Sequence, residues 1–408
     1  MDDIDIIETL KKWNLWEHQV DSGIKRERYI KQIFPYLDRR ETIVLKGIRR
    51  SGKSTLIKQL MQELVKKGTN KRQLIYLNLE DYNFANYLTV DLFENVLNSY
   101  KKYFKHKKKI YFFVDEVQKI QGWEKWIRTK YDQNENIKFI VTGSSASLLS
   151  KDFSTLLTGR NISFKILPLS YLEFLDFSKN KSFENYLQFG GFPEVVLEKS
   201  EDKKISLLQQ YFEDIIHKDI IDRHRIRNAK QLINLARYLV STSGSKISLN
   251  KLSRVFGISK DTISSYINYM IHAYMIFEVT YFSFSAKIRH DVSKLPKLYV
   301  VDNGFISTVT INYSSNTGQK FENAALIKLL ENFEVISYWS ELKSEVDFIV
   351  ENTAINVTST DNARKREIAG LEDFQHSHKD FNAILIAKSK SKDNIISMKD
   401  FLSDKIKL

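Results

Sequence analysis

Residues 47 to 55 read Gly47-Ile48-Arg49-Arg50-Ser51-Gly52-Lys53-Ser54-Thr55. Two glycines frame four residues, and a lysine and two hydroxyls follow. This spacing suits phosphate binding. The chemistry needs a strand to deliver the loop and a helix to leave it. Backbone N–H groups and the positive end of the helix dipole then face an anion. Gly47 and Gly52 permit the backbone angles and the close approach. Lys53 is expected to reach the β- and γ-phosphates of ATP, and Ser54 to offer its hydroxyl to Mg²⁺. The flanks fit. An apolar run, "TIVL", precedes the loop, and the helical pattern "STLIKQLMQELVKK" follows it. A basic surface turn would explain the charge without either flank.

A pair of acids lies downstream. "IYFFVDEVQ" places Asp115 and Glu116 at the end of a buried apolar run. The carboxyl ends of strands are where open α/β sheets bind ligands. Asp115 is expected to hold Mg²⁺, and Glu116 to polarise the attacking water. The alternative is a pair of acids favoured by a helix dipole. "IKFIVTGSS" offers a polar group to sense the γ-phosphate, with Ser144 the first candidate and Thr142 the second; a hydroxyl capping the next helix reads equally well. Arg160, in "LLTGR", is placed either to stabilise phosphoryl charge or in a surface salt bridge. "GIKRERY", residues 23–29, is the candidate for part of the adenine pocket.

These groups need a frame. Residues 1–40 read as helical. Four apolar strands follow, "TIVLKG", "RQLIYLNLE", "KKIYFFVDEV" and "IKFIVTGSS", with helical patterns between them. That alternation predicts a parallel sheet covered on both faces. From about residue 170 helical segments run to about 280, and mixed strand and helix resumes at "KLYVVDNG". The 408 residues suffice for two or three domains. No cysteine is present, so disulfides and thiolate metal sites are excluded, in keeping with a cytoplasmic protein. No apolar run is long enough for a membrane span. The formal net charge of +13 suits a polyanion such as nucleic acid, or simply a lysine-rich surface. Its clusters include "KKYFKHKKK" at 101–109 and "DRHRIRNAK" at 222–230.

"SLNKLSRVFGISKDTISSYINYMIHAYMIF", residues 248–277, reads as helix-turn-helix. Leu249, Leu252 and Phe256 share one face, and Gly257 makes the turn. Ser259 caps a second helix with Ile263, Ile267 and Met270 inward. Residues 278–292 would then be a wing. In a DNA reader the start of the second helix lies in the major groove, exposing Lys260, Asp261, Ser264, Ser265 and Asn268. Lys287, Arg289 and His290 would touch the backbone. Asp261 repels phosphate, so a protein-docking module is the competing reading.

Several segments occur together and in order: "GIRRSGKSTL", "FFVDEVQKIQGWEKWIR", "VTGSSASLLS", "LLTGR", "ILPLSYLEFL", "YLQFGGFPEVV", "YFEDIIHKDIIDRHRIRN" and "KLYVVDNGF". They resemble the prokaryotic P-loop ATPases of the AAA superfamily whose chain continues into a C-terminal domain of unknown function. The resemblance covers nearly the whole chain. It implies an AAA-like α/β core with a parallel sheet at 1–170, a helical lid and winged helix at 171–292, and a small α/β restriction-endonuclease-like domain at 293–408. It also implies that Arg160 serves a neighbouring subunit in an oligomer. A nuclease of that type carries a glutamate, an aspartate and Glu-x-Lys around a divalent metal. Here Glu322 and Asp347 match, but Asn356 and Thr358 stand where the last two belong, so metal-dependent cleavage is not expected. The expected function is a Mg²⁺-dependent ATPase whose nucleotide state controls duplex DNA binding; the alternative is an ATP-timed switch acting on a protein partner.

Overall fold

The computed structural model describes residues 1–105, 108–144, 159–289, 291, 293–309, 316–361, 365–389 and 395–405. The chain divides into two compact units, Met1–Ile166 and Leu167–Leu408.

The first unit is built on five parallel strands: β1 (Thr42–Lys46), β2 (Leu74–Asn78), β3 (Ile110–Asp115), β4 (Ile137–Gly143) and β5 (Asn161–Lys165). Their spatial order is β2-β3-β4-β1-β5. Alternate strand residues sort to opposite faces. Val44, Ile75, Phe112, Val114 and Val141 pack with residues of α1 (Asp3–Lys11), α4 (Val90–Phe104) and α5 (Trp123–Asp132). Ile43, Leu45, Tyr76, Phe113 and Ile140 pack with residues of α2 (Glu27–Ile33) and α3 (Lys53–Lys66). Both faces are therefore covered, which explains why these strands read as unbroken apolar runs. The sequence did not reveal β5. It is half-buried along its length, and as an edge strand with only β1 beside it it can carry Asn161, Ser163 and Lys165.

The second unit begins with helices, among them Tyr171–Phe177, Glu201–Asp214, Ala229–Ser241, Leu249–Phe256 and Lys260–His272. Ile215–Ile221 continues Glu201–Asp214 as a π-helical stretch. Then comes a seven-stranded mixed sheet: β6 (Ile276–Tyr281), β7 (Lys297–Val300), β8 (Ser337–Glu341), β9 (Ser344–Val350), β10 (Thr353–Val357), β11 (Asn382–Ala387) and β12 (Ile395–Ser397), in the order β12-β11-β10-β9-β8-β6-β7. Helices Thr317–Leu329 and Lys365–Ser377 pack on it through Phe321, Leu326, Leu371 and Phe374.

Ser259 caps the helix Lys260–His272 by accepting the Thr262 N–H, with Ile263, Ile267 and Met270 buried. Leu249, expected inside, is 37% exposed; Leu252 alone of its helix is buried. The described residues of 278–292 do not form a hairpin by themselves. They open in β6, which lies inside the seven-stranded sheet between β7 and β8, and continue into a short helix, Ala286–Arg289. The reason is burial: Val279 and Tyr281 enter the core with Tyr338 and Phe348. His290 lies outside the described residues. Among the described residues, no helix is long and apolar enough to cross a membrane.

Candidate nucleotide site

β1 ends at Lys46 and α3 begins at Lys53, so residues 47–52 form the connecting loop. Gly47 is fixed by close packing, because a Cβ there would collide with the Ile166 carbonyl. Gly52 caps α3 with φ 92°, a left-handed conformation that favours glycine. Ile48 and Ser51 are buried, whereas Arg50 is exposed. Arg49 pairs with Glu80 at 3.5 Å. The first turn of α3 holds Lys53, Ser54 and Thr55. Lys53 is buried, and its Nζ donates to the carbonyls of Gly47 and Ile48 at 2.9 Å each. The ammonium thus lies across the loop. The Ser51 hydroxyl is buried without a hydrogen-bond partner. Such an orphaned polar atom inside a loop of this kind fits a phosphate oxygen better than a closed structural turn.

Arg26 supports the loop from behind. Its guanidinium donates to the Ser51 carbonyl at 2.8 Å and stacks 4.5 Å from the Tyr29 ring centroid. Gln59 of α3 accepts the Arg26 N–H at 3.0 Å and donates to the carbonyls of Ser22 and Ile24, each at 2.8 Å. Part of segment 23–29 therefore lies against the phosphate loop. The sequence suggested that neighbourhood but not the role of Arg26.

The acids sit one strand beyond β4. Asp115 closes β3, and both Asp115 and Glu116 are buried. Tyr76 on β2 donates its phenol to Asp115 Oδ2 at 2.8 Å, and Thr142 on β4 donates its hydroxyl to Asp115 Oδ1. Both neighbouring strands thereby hold one carboxylate. The same Thr142 oxygen accepts the Glu116 N–H at 3.0 Å. Glu116 has φ 57°, a left-handed conformation costing about 1–2 kcal/mol for a residue with a side chain. The Thr142 hydrogen bond helps to hold that turn, which aims Glu116 away from the strand. Burial raises the Glu116 pKa, with Lys53 and Arg49 opposing the shift. Gln118 donates to Glu116 Oε2, and to Ser144 Oγ at 3.3 Å. The other polar atom of Gln118, its Oε1, is buried without a partner. Burial, first, and the charge of Asp115 push the Tyr76 phenol pKa up, so it stays a donor.

Asp115, Glu116, Thr142 and Ser144 are thus linked by hydrogen bonds at this end of the sheet, Lys53 acts on Glu116 through its charge, and β4 lies in register between β1 and β3. Asp115 retains unused lone pairs on both oxygens, so with Ser54 it is a chemically suitable oxygen pair for Mg²⁺. Arg160 is not part of this cluster. Its carbonyl accepts the N–H of Thr42 at the start of β1, the far end of the strand from the loop. Its side chain pairs with Asp132 at 3.2 Å. From there the side chain is engaged with Asp132 and not with the loop of its own chain. Sequence reasoning missed Tyr76, Gln118 and Arg26. The tyrosine inside the apolar run of "LIYLN" was the signal for the first.

In the second unit, Lys260 and Asn268 are exposed, Ser264 and Ser265 half-buried, and Lys287 exposed; Arg289 lies in the short helix after β6. The His224 ring stacks on Tyr269 of helix Lys260–His272 at 3.7 Å, which brings the segment carrying exposed Arg223, Arg225 and Arg227 beside that helix. Glu322 and Asp347 come together, each 3.3 Å from the Lys297 ammonium. Asn356 does not join them as a ligand. It accepts the Asp347 N–H at 2.8 Å and donates to the Glu345 and Glu367 carbonyls at 3.1 and 2.7 Å. Thr358 bonds Thr360 at 3.1 Å.

A parallel sheet in this order, with a glycine-framed loop after β1 and paired acids after β3, defines an AAA-like P-loop fold. A family model described as "AAA domain" matches residues 39–175, and one described as "Domain of unknown function (DUF8612)" matches residues 180–320. The chain is 32% identical over 333 residues to "Uncharacterized protein MJ1544" of Methanocaldococcus jannaschii, covering 75% of this chain and 71% of that protein. It belongs to the same family as that archaeal protein. An "Uncharacterized protein" of Haemophilus influenzae is 29% identical over 340 residues, covering 80% of this chain and 83% of its own. Among solved structures, the Aeropyrum pernix Orc1 protein in complex with DNA overlaps 74% of this chain and 93% of its own at 11% identity, with a TM-score of 0.31. That overlap is too loose to bear on function.

Proposed function

We propose that the chain is a Mg²⁺-dependent ATPase whose nucleotide state governs contact with duplex DNA. The ATPase reading rests on one observation above all: Asp115 and Glu116 are buried and held by neighbouring strands beside a glycine-framed loop that carries a buried lysine and a serine hydroxyl with no partner. In this reading the loop amides and Lys53 cradle the phosphates, with Lys53 exchanging its two carbonyl partners for phosphate oxygens. Ser54 and Asp115 hold the metal ion, which neutralises phosphate charge when bound. Glu116 orients a water for in-line attack and accepts its proton; a pKa raised by burial makes it a stronger base. Ser144, linked to Glu116 through Gln118, reports on the γ-phosphate. Arg160 acts only if a second copy of the chain presents it in trans.

The DNA reading is supported by the helix pair Leu249–Phe256 and Lys260–His272 and by the arginines at 223, 225 and 227, which supply the positive charge the second helix lacks. It takes the pair as a helix-turn-helix whose second helix runs into β6 of the sheet in place of a free wing. Exposed Val255 and Asp261 favour a second reading, a protein partner on the same helices. Fluorescence anisotropy of a labelled duplex, with ATP and then ADP bound, separates the two. A difference in affinity between nucleotide states supports coupling. Equal affinities refute coupling, and no binding at low salt transfers the helices to a protein partner.

A further inference from the structure

Lys297, at the start of β7, has a side chain only 3% exposed. Its ammonium lies 2.6 Å from Glu345, 3.3 Å from Glu322 and 3.3 Å from Asp347. Glu345 and Asp347 are two apart on β9 and so share a face. Glu322 comes from helix Thr317–Leu329. Further donors surround the three acids. Tyr299 donates to Glu322 at 2.6 Å, Lys246 to Glu345 at 2.8 Å, and the Val357 N–H to the second Asp347 oxygen at 3.0 Å.

Three carboxylates converging from a helix and a strand are a donor set that a hard divalent cation would take. It is also where the resemblance to restriction-endonuclease-like nucleases implies a metal. That metal does not fit. A divalent ion needs its oxygens within about 2.0–2.6 Å, and the space between these oxygens already holds a nitrogen. An ammonium has three N–H donors, and Lys297 has three carboxylate partners. A divalent ion between the three acids would meet the like charge of the Lys297 ammonium at short range. Burial, assisted by the Asp347 charge, also pushes the Glu322 carboxyl up to about 7, although Lys297 opposes the shift.

We infer that Lys297 is the resident cation of this cage: it takes the place of a metal, closes the site to divalent ions, and ties helix Thr317–Leu329 to strands β7 and β9. The test uses the full chain without nucleotide, so that no metal is recruited at the phosphate loop. Mn²⁺ binding is followed by electron paramagnetic resonance, and thermal unfolding by calorimetry. The wild type is expected to show no saturable Mn²⁺ site dependent on these acids and no shift in Tm with millimolar Mn²⁺. Lys297→Met takes the shared cation from three partly buried acids, Glu345 keeping Lys246, so its Tm is expected to fall by several degrees. Millimolar Mn²⁺ should recover much of that loss by binding the native state, and Lys297→Met/Asp347→Asn should lose the recovery. Lys297→Arg keeps a cation and should remain blind to Mn²⁺. The inference is overturned if wild-type protein binds Mn²⁺ saturably and Asp347→Asn abolishes it. It is equally overturned if Lys297→Met unfolds at the wild-type temperature, or folds and ignores Mn²⁺. Should Lys297→Met not fold, the wild-type titration and its Asp347→Asn control decide alone.

Discussion

Thr142→Val is the sharpest perturbation of the acid pair. Valine nearly matches threonine in shape, so packing under β4 is kept while one oxygen is lost. That oxygen has two roles: it donates to Asp115 and accepts the Glu116 N–H at 3.0 Å. Its removal leaves a buried N–H without a partner, at a cost of about 1–3 kcal/mol. It also removes one of the two hydroxyls that steady the Asp115 carboxylate, and a hydrogen bond to a charged group contributes about 1.5–3 kcal/mol. The two losses overlap, and we expect a net destabilisation on the order of 3 kcal/mol, or a Tm lower by roughly 6–12 °C. Glu116 in its left-handed turn also loses its anchor. If about half the energy is positional, turnover falls roughly tenfold, since about 1.4 kcal/mol is one decade in rate. Thr142→Ser keeps the hydroxyl and should keep most of both. Steady-state ATP turnover at saturating Mg²⁺, measured beside calorimetry, checks this. A valine variant within twofold of wild type, at unchanged Tm, would refute the reasoning.

Tyr76→Phe removes the other Asp115 donor without disturbing the ring, so the Mg²⁺ concentration for half-maximal turnover should change severalfold while unliganded stability drops by about 1 kcal/mol. Asp302 tests pH dependence. Burial pushes its carboxyl up to about 7, against the N–H groups of Gly191 and Gly304. Its folded pKa lies above the unfolded value of 3.8, so the native state binds more protons between the two. Stability from this group is fully present below about 3.8, falls as pH rises towards 7 and is level above that, with a slope of up to about 1.4 kcal/mol per pH unit. Asp302→Asn should flatten the Tm profile between pH 5 and 7, read by calorimetry. Arg225→Ala/Arg227→Ala should weaken duplex binding and reduce the slope of log affinity against log salt by about 2, read by anisotropy.

The parts of the fold that were legible in the sequence are local. β1, the loop and α3 are contiguous, and each has its own signal: an apolar run, two glycines, a helical period. Asp115 and Glu116 were visible because acids after five buried apolar residues break the pattern of a strand covered on both faces. What holds those acids was not visible. Tyr76 and Asp115 are 39 residues apart and Thr142 and Asp115 are 27 apart; they meet only because β2 and β4 flank β3. Strand order is set by packing of helices on the sheet, and no local spacing encodes it. Lys297 escaped for the same reason, since its three partners lie between 25 and 50 residues further on. The alternation of β6 fits an exposed wing hairpin as well as a sheet interior. Only the partners of Val279 and Tyr281 distinguish the two.

The most direct test of the central claim is ATP turnover by the full chain with Mg²⁺, beside Lys53→Ala and Glu116→Gln. The account predicts turnover by wild type that both variants abolish, with ATP still bound by Glu116→Gln and released by Lys53→Ala. Wild-type turnover that persists in both variants would contradict it.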